Sequence, residues 1–303
     1  MVRLRSSDLV DFAEPFIGSH AVAEDALTLC DLRSPSFTRL FRNVYIASTT
    51  EVTHSVRCRA AALLAPSGAV LTGCSAAAIW GLELVGPQDL VEFVVPENMQ
   101  FDRQAGLHIR RTSRVIDSEP WGDIQLATPL RLALDVATNT KLHRSLPRTV
   151  GYLDAFLGSG LVDLAELHRY LRPRRDNGMV RARKAVALAN ARSESVPESE
   201  LRVWLTVAGL KPEVQVDVVT ASGGFLGRLD LAFPAQKLAV EYDSEWHLDG
   251  IQPRLDAQRR TAIEAEGWRF VIVTKADLYG DPKRVVAAVQ TALSLGKMRP
   301  SGL

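Results

Sequence analysis

Three carboxylates, Asp230, Glu241 and Asp243, stand in segments that otherwise read as strands, GRLDLAF and KLAVEYD. An uncompensated charge on a buried strand is costly, so acids placed there call for a purpose. Side chains alternate along a strand, which puts Glu241 and Asp243 on one face and Tyr242 on the other, and Asp230 on the neighbouring strand can lie opposite them. Carboxylates gathered in this way repel one another unless a divalent cation neutralises them, and hard oxygen ligands favour Mg2+ or Mn2+ over zinc. A cation so held can orient a phosphodiester, activate a water and stabilise charge developing on the phosphate. Taken singly, each group also has a plainer reading. Asp230 follows Arg228 and suits a strand-end ion pair, Asp243 suits the cap of the turn at SEWH, and His247 suits a partly buried histidine satisfied by a neighbour.

These residues need a sheet to hold them, and the C-terminal sequence supplies one. ESELRVWLTVAGL has apolar residues at helical spacing and a glycine stop; EVQVDVVT, FLGRLDLAF and KLAVEYD read as three strands joined by the turns ASGG and PAQ. PRLDAQRRTAIEAEG reads as a helix, WRFVIVT as a further strand and DPKRVVAAVQTAL as a closing amphipathic helix. The predicted order is α-β-β-β-α-β-α, in a chain of α/β (α+β) class. The apolar run Leu238 to Val240, followed at once by charges, fits a buried strand whose far end emerges at a functional edge.

The motifs VPESELR, GRLDLAF, LAVEYDSEWH, RLDAQRR and GWRFVIVTKADL, in this order, resemble the domain of unknown function related to very-short-patch-repair endonucleases, within the PD-(D/E)XK restriction-endonuclease-like superfamily. The resemblance covers the last third of the chain. It implies a Mg2+- or Mn2+-dependent DNA endonuclease in which Asp230 and Glu241 are metal-site acids and Asp243 completes the cluster. Glu198 becomes a supporting acid near a helix start, although the helix dipole favours an acid there in any case. His247 becomes a candidate proton carrier, and Arg259 either meets the scissile phosphate or pairs with Asp256. The third motif position, usually Lys in the superfamily, is Asp243 here. Ser244 and Leu248 stand where the narrower family commonly has Gly and a second His.

Upstream, DLVDFAEPF and VAEDALTLCDL suit short helices, and SPSFTRLFRNVYIAS moves from a basic helix end into an alternating strand. That is either a winged-helix unit, with Arg39 and Arg42 available for phosphates, or a small helix and hairpin cap whose arginines stay solvated. The motifs FTRLFRNVYIA, AVLTGCSAAAIWGL and TPLRLALD are similar to actinobacterial proteins that carry a type IV antitoxin-like (abortive infection) winged-helix region. In the middle of the chain, Arg172, Arg174, Arg175 and Arg181 belong to a basic run with few acids. This run is either a solvated helix face plus linker or a surface that tracks phosphates. The organisation predicted is a winged-helix-like unit over 1–50, an antitoxin-like mixed region with a basic helical end over 51–180, and the endonuclease-like domain over 181–303.

Composition sets the bounds on all of this. With 303 residues, 47% hydrophobic and 23% charged, the chain can build ordinary globular cores. A net charge of +1 announces no nucleic-acid partner, so any basic surface must be local. The sequence start has no apolar run suited to a signal peptide, and no later segment suits a membrane span, which points to the cytoplasm and no membrane partner. Cys30, Cys58 and Cys74 are widely spaced and suggest no zinc site. Three functions follow as expectations: a DNA endonuclease, a catalytically inactive nuclease-like DNA-binding regulator or antitoxin-like protein, and an interaction module of a toxin-antitoxin or defence system.

Overall fold

The computed structural model describes residues 12–139, 145–175, 177–243 and 252–297. His247, Ser244 and Leu248 lie outside the described residues. The chain divides into two compact units, Met1–Val136 and Ala137–Leu303. No helix among the described residues is long and apolar enough to cross a membrane.

The first unit begins with strand β1 (Phe16–Ile17), helix α1 (Gly18–Ala23) and the hairpin β2 (Phe37–Phe41) and β3 (Val44–Ala47), which form a sheet of order β1-β3-β2. The helix end expected over SPSFTRLF is therefore a strand, while VYIA is the strand expected. Phe37, Leu40 and Phe41 favour a pleated, half-buried surface, and Asn43 at φ +62° accepts the left-handed turn that returns the chain. Arg39 lies on β2 with its Nε donating to the Phe41 carbonyl, and Arg42 sits in the turn, so neither rides on a helix. Helix α2 (His54–Ala62), strand β4 (Val70–Leu71), helix α3 (Gly73–Ile79) and strands β5 (Val91–Pro96), β6 (Leu107–Thr112), β7 (Ser118–Trp121) and β8 (Ile124–Ala127) follow. Their mixed sheet has order β6-β5-β4-β8-β7 and is followed by helix α4 (Pro129–Thr138).

The second unit opens with α5 (Leu146–Gly158), α6 (Leu164–Leu171), α7 (Met179–Leu188) and α8 (Val196–Val207). Strands β9 (Glu213–Val219), β10 (Phe225–Phe233) and β11 (Leu238–Asp243) come next, then α9 (Gln252–Ala265), β12 (Arg269–Thr274), α10 (Lys275–Gly280) and α11 (Pro282–Lys297). From α8 onward the order is the predicted α-β-β-β-α-β-α with one helix added, since the short α10 stands between β12 and the closing helix α11. The sheet runs β12-β11-β10-β9, antiparallel except for the parallel pair β11 and β12, whose crossover is α9. One layer of core joins Leu201 and Leu205 of α8 and Val285 and Val289 of α11 to Leu231 and Val240; a second joins Ile263 of α9 to Val218, Leu229 and Ala239. The sheet is thus covered on both faces, which explains the unbroken apolar run at Leu238 to Val240.

The compact division falls earlier than position 180, because α5 is bound tightly to α8. Gly151 permits the close approach, since a Cβ there would stand 2.8 Å from Val196 Cγ1. Buried Asp154 accepts from Arg202 Nη2 at 2.7 Å and from the Asn190 backbone at 2.6 Å. Helix α5, which falls inside the region predicted over 51–180, is in this way part of the scaffold that fixes α8.

Candidate active site

Ser195 caps α8 by accepting from the Glu198 backbone at 3.3 Å, and Pro197 stands in the first turn, so the helix starts at the serine. The same cap orients Glu198, whose carboxylate accepts from Ser195 Oγ at 2.7 Å, from the Glu194 backbone at 3.3 Å and from Gln215 Nε2 at 3.3 Å. Burial pushes the Glu198 carboxyl up, and these hydrogen bonds pull it back only in part. Gln215 is itself buried on β9 at φ +54°, and its carbonyl accepts from Arg192 Nη2 at 2.7 Å.

The antiparallel register of β10 and β11 pairs Leu231 with Val240, and one residue further it sets Asp230 across from Glu241. Among the described residues Asp230 has a single backbone donor, Tyr242 N at 3.4 Å, a long and weak contact. Its carboxyl is pushed up to about 7, first by burial and then by the neighbouring charges of Glu198 and Glu241. Glu241 is buried and is held by Arg259 of α9, whose Nη2 stands 3.0 Å from Oε1 and 3.2 Å from Oε2. Arg260 approaches the same carboxylate at 3.8 Å, with its guanidinium carbon 5.6 Å from the Phe270 ring centroid.

Asp230, Glu241 and Glu198 are therefore brought to one place, and the expected trio with Asp243 is not. Asp243 is exposed at the end of β11, where alternation sets its face but the sheet no longer encloses it. Among the described residues no group of three or more His, Cys, Asp and Glu side chains stands as a metal site. Two carboxylates completed by water and substrate oxygens are nonetheless a usual holder of Mg2+. Asp230 accepts only one weak backbone contact among the described residues and stands beside Glu241 and Glu198, so the oxygen donors of Asp230 and Glu241 fit a hard divalent cation.

The basic run divides. Arg181 is half-buried and donates to the Ala137 carbonyl at 3.1 Å and to Thr149 Oγ1 at 2.8 Å, so it braces α7 rather than facing a ligand. The Arg174 guanidinium carbon lies 4.0 Å from the Tyr170 ring centroid, and Arg175 donates back to the carbonyls of Arg172 and Arg174. Arg172 lines a cavity of about 430 Å³ with His168, Arg169, Leu171, Arg183 and Val186, a concave basic surface with no acid in its lining.

Gln215 and Gly227 were not singled out by sequence reasoning. Gln215 leaves no signal, since strand alternation assigns it a face but not a hydrogen bond to Glu198. Gly227 does leave one: a lone glycine inside the strand FLGRLD marks a close approach. A Cβ there would meet Arg259 Cδ at 3.0 Å and Cγ at 3.1 Å.

No family model matches the chain, and no solved structure matches it. Two curated relatives do, each 30% identical over 200 residues that make up 65% of this chain and 68% of the relative. They are "Uncharacterized protein MT2308" of Mycobacterium tuberculosis strain CDC 1551 / Oshkosh and "Uncharacterized protein Rv2248" of strain H37Rv. The chain belongs to the family of these mycobacterial proteins. Membership brings no activity with it, so the functional reading rests on the site.

Proposed function

We propose that this protein is a Mg2+- or Mn2+-dependent DNA endonuclease of the cytoplasm, with the hydrolytic site where the central strands β10 and β11 of its second unit meet. The observation that carries the reading is the β10–β11 register that sets Asp230 across from Glu241, with Glu198 beside them. The motif resemblance to very-short-patch-repair-related domains supports the same chemistry. Asp230 and Glu241 would hold the cation, and a cation bound there would supply Lewis acidity toward a phosphate oxygen and an activated water. Glu198, kept in place by Ser195 and Gln215, adds negative charge beside them. Arg172, with Arg169 and Arg183, offers a basic concavity for the phosphate backbone.

A second reading has its own support. Arg259 already neutralises Glu241, and Asp243 stands where a lysine would aid catalysis, which suits a nuclease-like regulator or antitoxin-like protein that binds DNA without cutting it. Incubating purified wild type and an Asp230→Asn, Glu241→Gln double variant with supercoiled plasmid and Mg2+ or Mn2+ separates the two. Metal-dependent nicking by wild type alone is the expected result. Failure of wild type to cut with either metal, with equal DNA binding by both proteins, selects the regulator.

A further inference from the structure

Glu241 and Arg259 form an unequal pair. The Glu241 side chain is 7% exposed, whereas that of Arg259 is 30% exposed. The acid is fixed in the strand, while the cation reaches it from α9 and keeps a route to solvent. Its path is built into the fold. Gly227 lacks the Cβ that would crowd the arginine stem, Ile263 borders the same glycine, and the Arg228 carbonyl accepts from Arg259 Nη1 at 2.9 Å. Beyond Glu241 lies Asp230, which receives one weak backbone contact and no guanidinium hydrogen bond among those described.

A guanidinium nitrogen set against both oxygens of a carboxylate stands where a metal held by that carboxylate would stand, and two positive charges so close repel each other. The two cations are therefore alternatives at Glu241, not partners. We propose that Arg259 is an internal counter-cation that competes with a divalent metal for Glu241, so that metal loading requires the guanidinium to leave. This inference rests on the reading of Asp230 and Glu241 as the metal acids, and it deepens it by making the site self-occluded in the absence of metal. Gly227 is the clearance that lets Arg259 lie in the occluding position.

The test is direct Mn2+ binding to the full chain, read as loss of the free-ion signal by electron paramagnetic resonance, with no substrate and no turnover. Arg259→Gln is expected to bind Mn2+ at least about tenfold more tightly than wild type, the effect of removing a competitor worth about 1.4 kcal/mol. Arg259→Lys, which keeps the charge but has one nitrogen where the guanidinium uses two, Nη2 on Glu241 and Nη1 on the Arg228 carbonyl, is expected to fall between the two and guards against misfolding of the first variant. Wild-type binding with both variants equal to or weaker than wild type overturns the competition and leaves the metal site standing. Absence of Mn2+ binding in all three, with intact folding by circular dichroism, overturns the competition and the metal reading together.

Discussion

Gln215 reaches Glu198 with its side-chain nitrogen, 3.3 Å from Oε2, from a backbone held at φ +54°. A left-handed conformation is unfavourable for any residue with a Cβ other than Asn or Asp, at about 1–2 kcal/mol. The position falls on β9 opposite Asp230, between the pairs Val216–Leu229 and Val214–Leu231, so the irregularity lies against the acid pocket. Gln215→Ala keeps the strain and removes the donor, and is expected to lose about 1 kcal/mol in urea unfolding. Gln215→Gly relieves the strain and is expected to be the more stable of the two; the reverse order would show that the backbone is not strained there.

Asp230 predicts a signature in the stability of the metal-free protein. Its folded carboxyl is raised to about 7 from an unfolded value of 3.8, so between these values the folded state keeps a proton that the unfolded chain has released. Stability then falls as pH rises through this window and levels off above about 7. Asp230→Asn is expected to flatten that slope relative to wild type in thermal melts across the range. A slope unchanged by the substitution would mean that the group titrates normally.

Arg202 and Asp154 set where α8, and with it Glu198, can lie. Both are buried, and Arg202 also donates to the Leu188 carbonyl at 2.7 Å. Asp154→Ala leaves a buried guanidinium without its acid and is expected to cost about 3 kcal/mol. Chemical denaturation measures this, and a loss below about 1 kcal/mol, the range of exposed pairs, would show that the pair does not act as a buried one.

The two kinds of arginine in the basic run should separate in DNA binding. Arg172→Ala is expected to lower the slope of log affinity against log salt by about one, as loss of a phosphate contact does. Arg181→Ala removes bonds to Ala137 and Thr149, and is expected to lower the melting temperature while leaving that slope unchanged. Equal effects on the salt slope would contradict the assignment of Arg181 to the scaffold.

Much of the second unit was legible because each of its elements carries its own period. GRLDLAF and KLAVEYD alternate, PAQ closes their turn with Lys237 in the left-handed region, and Ser195 with Glu198 marks a helix start. Those local signals suffice to set Asp230 opposite Glu241, while Glu198 was expected beside them only from the motif resemblance. Depth was not legible: alternation gives Asp243 the same face as Glu241, but only the end of the sheet decides that it is exposed. Partner choice was equally hidden, since Arg259 reaches across β10 to Glu241 over Gly227 rather than to the nearby Asp256 in its own helix. In the first unit, FTRLFRN holds too few residues for its period to tell a basic helix end from a strand, and pairing with VYIA decided it.

The most direct test of the acid pair is crystallographic. Crystals of the protein soaked in Mn2+ and measured near the manganese edge should show an anomalous peak bonded to Asp230 and Glu241, at roughly 2.0–2.3 Å as expected of oxygen ligands to such a cation, with Arg259 withdrawn from Glu241. Arg259 still bracketing Glu241, with no anomalous density between Asp230 and Glu241 at saturating Mn2+, would contradict the account.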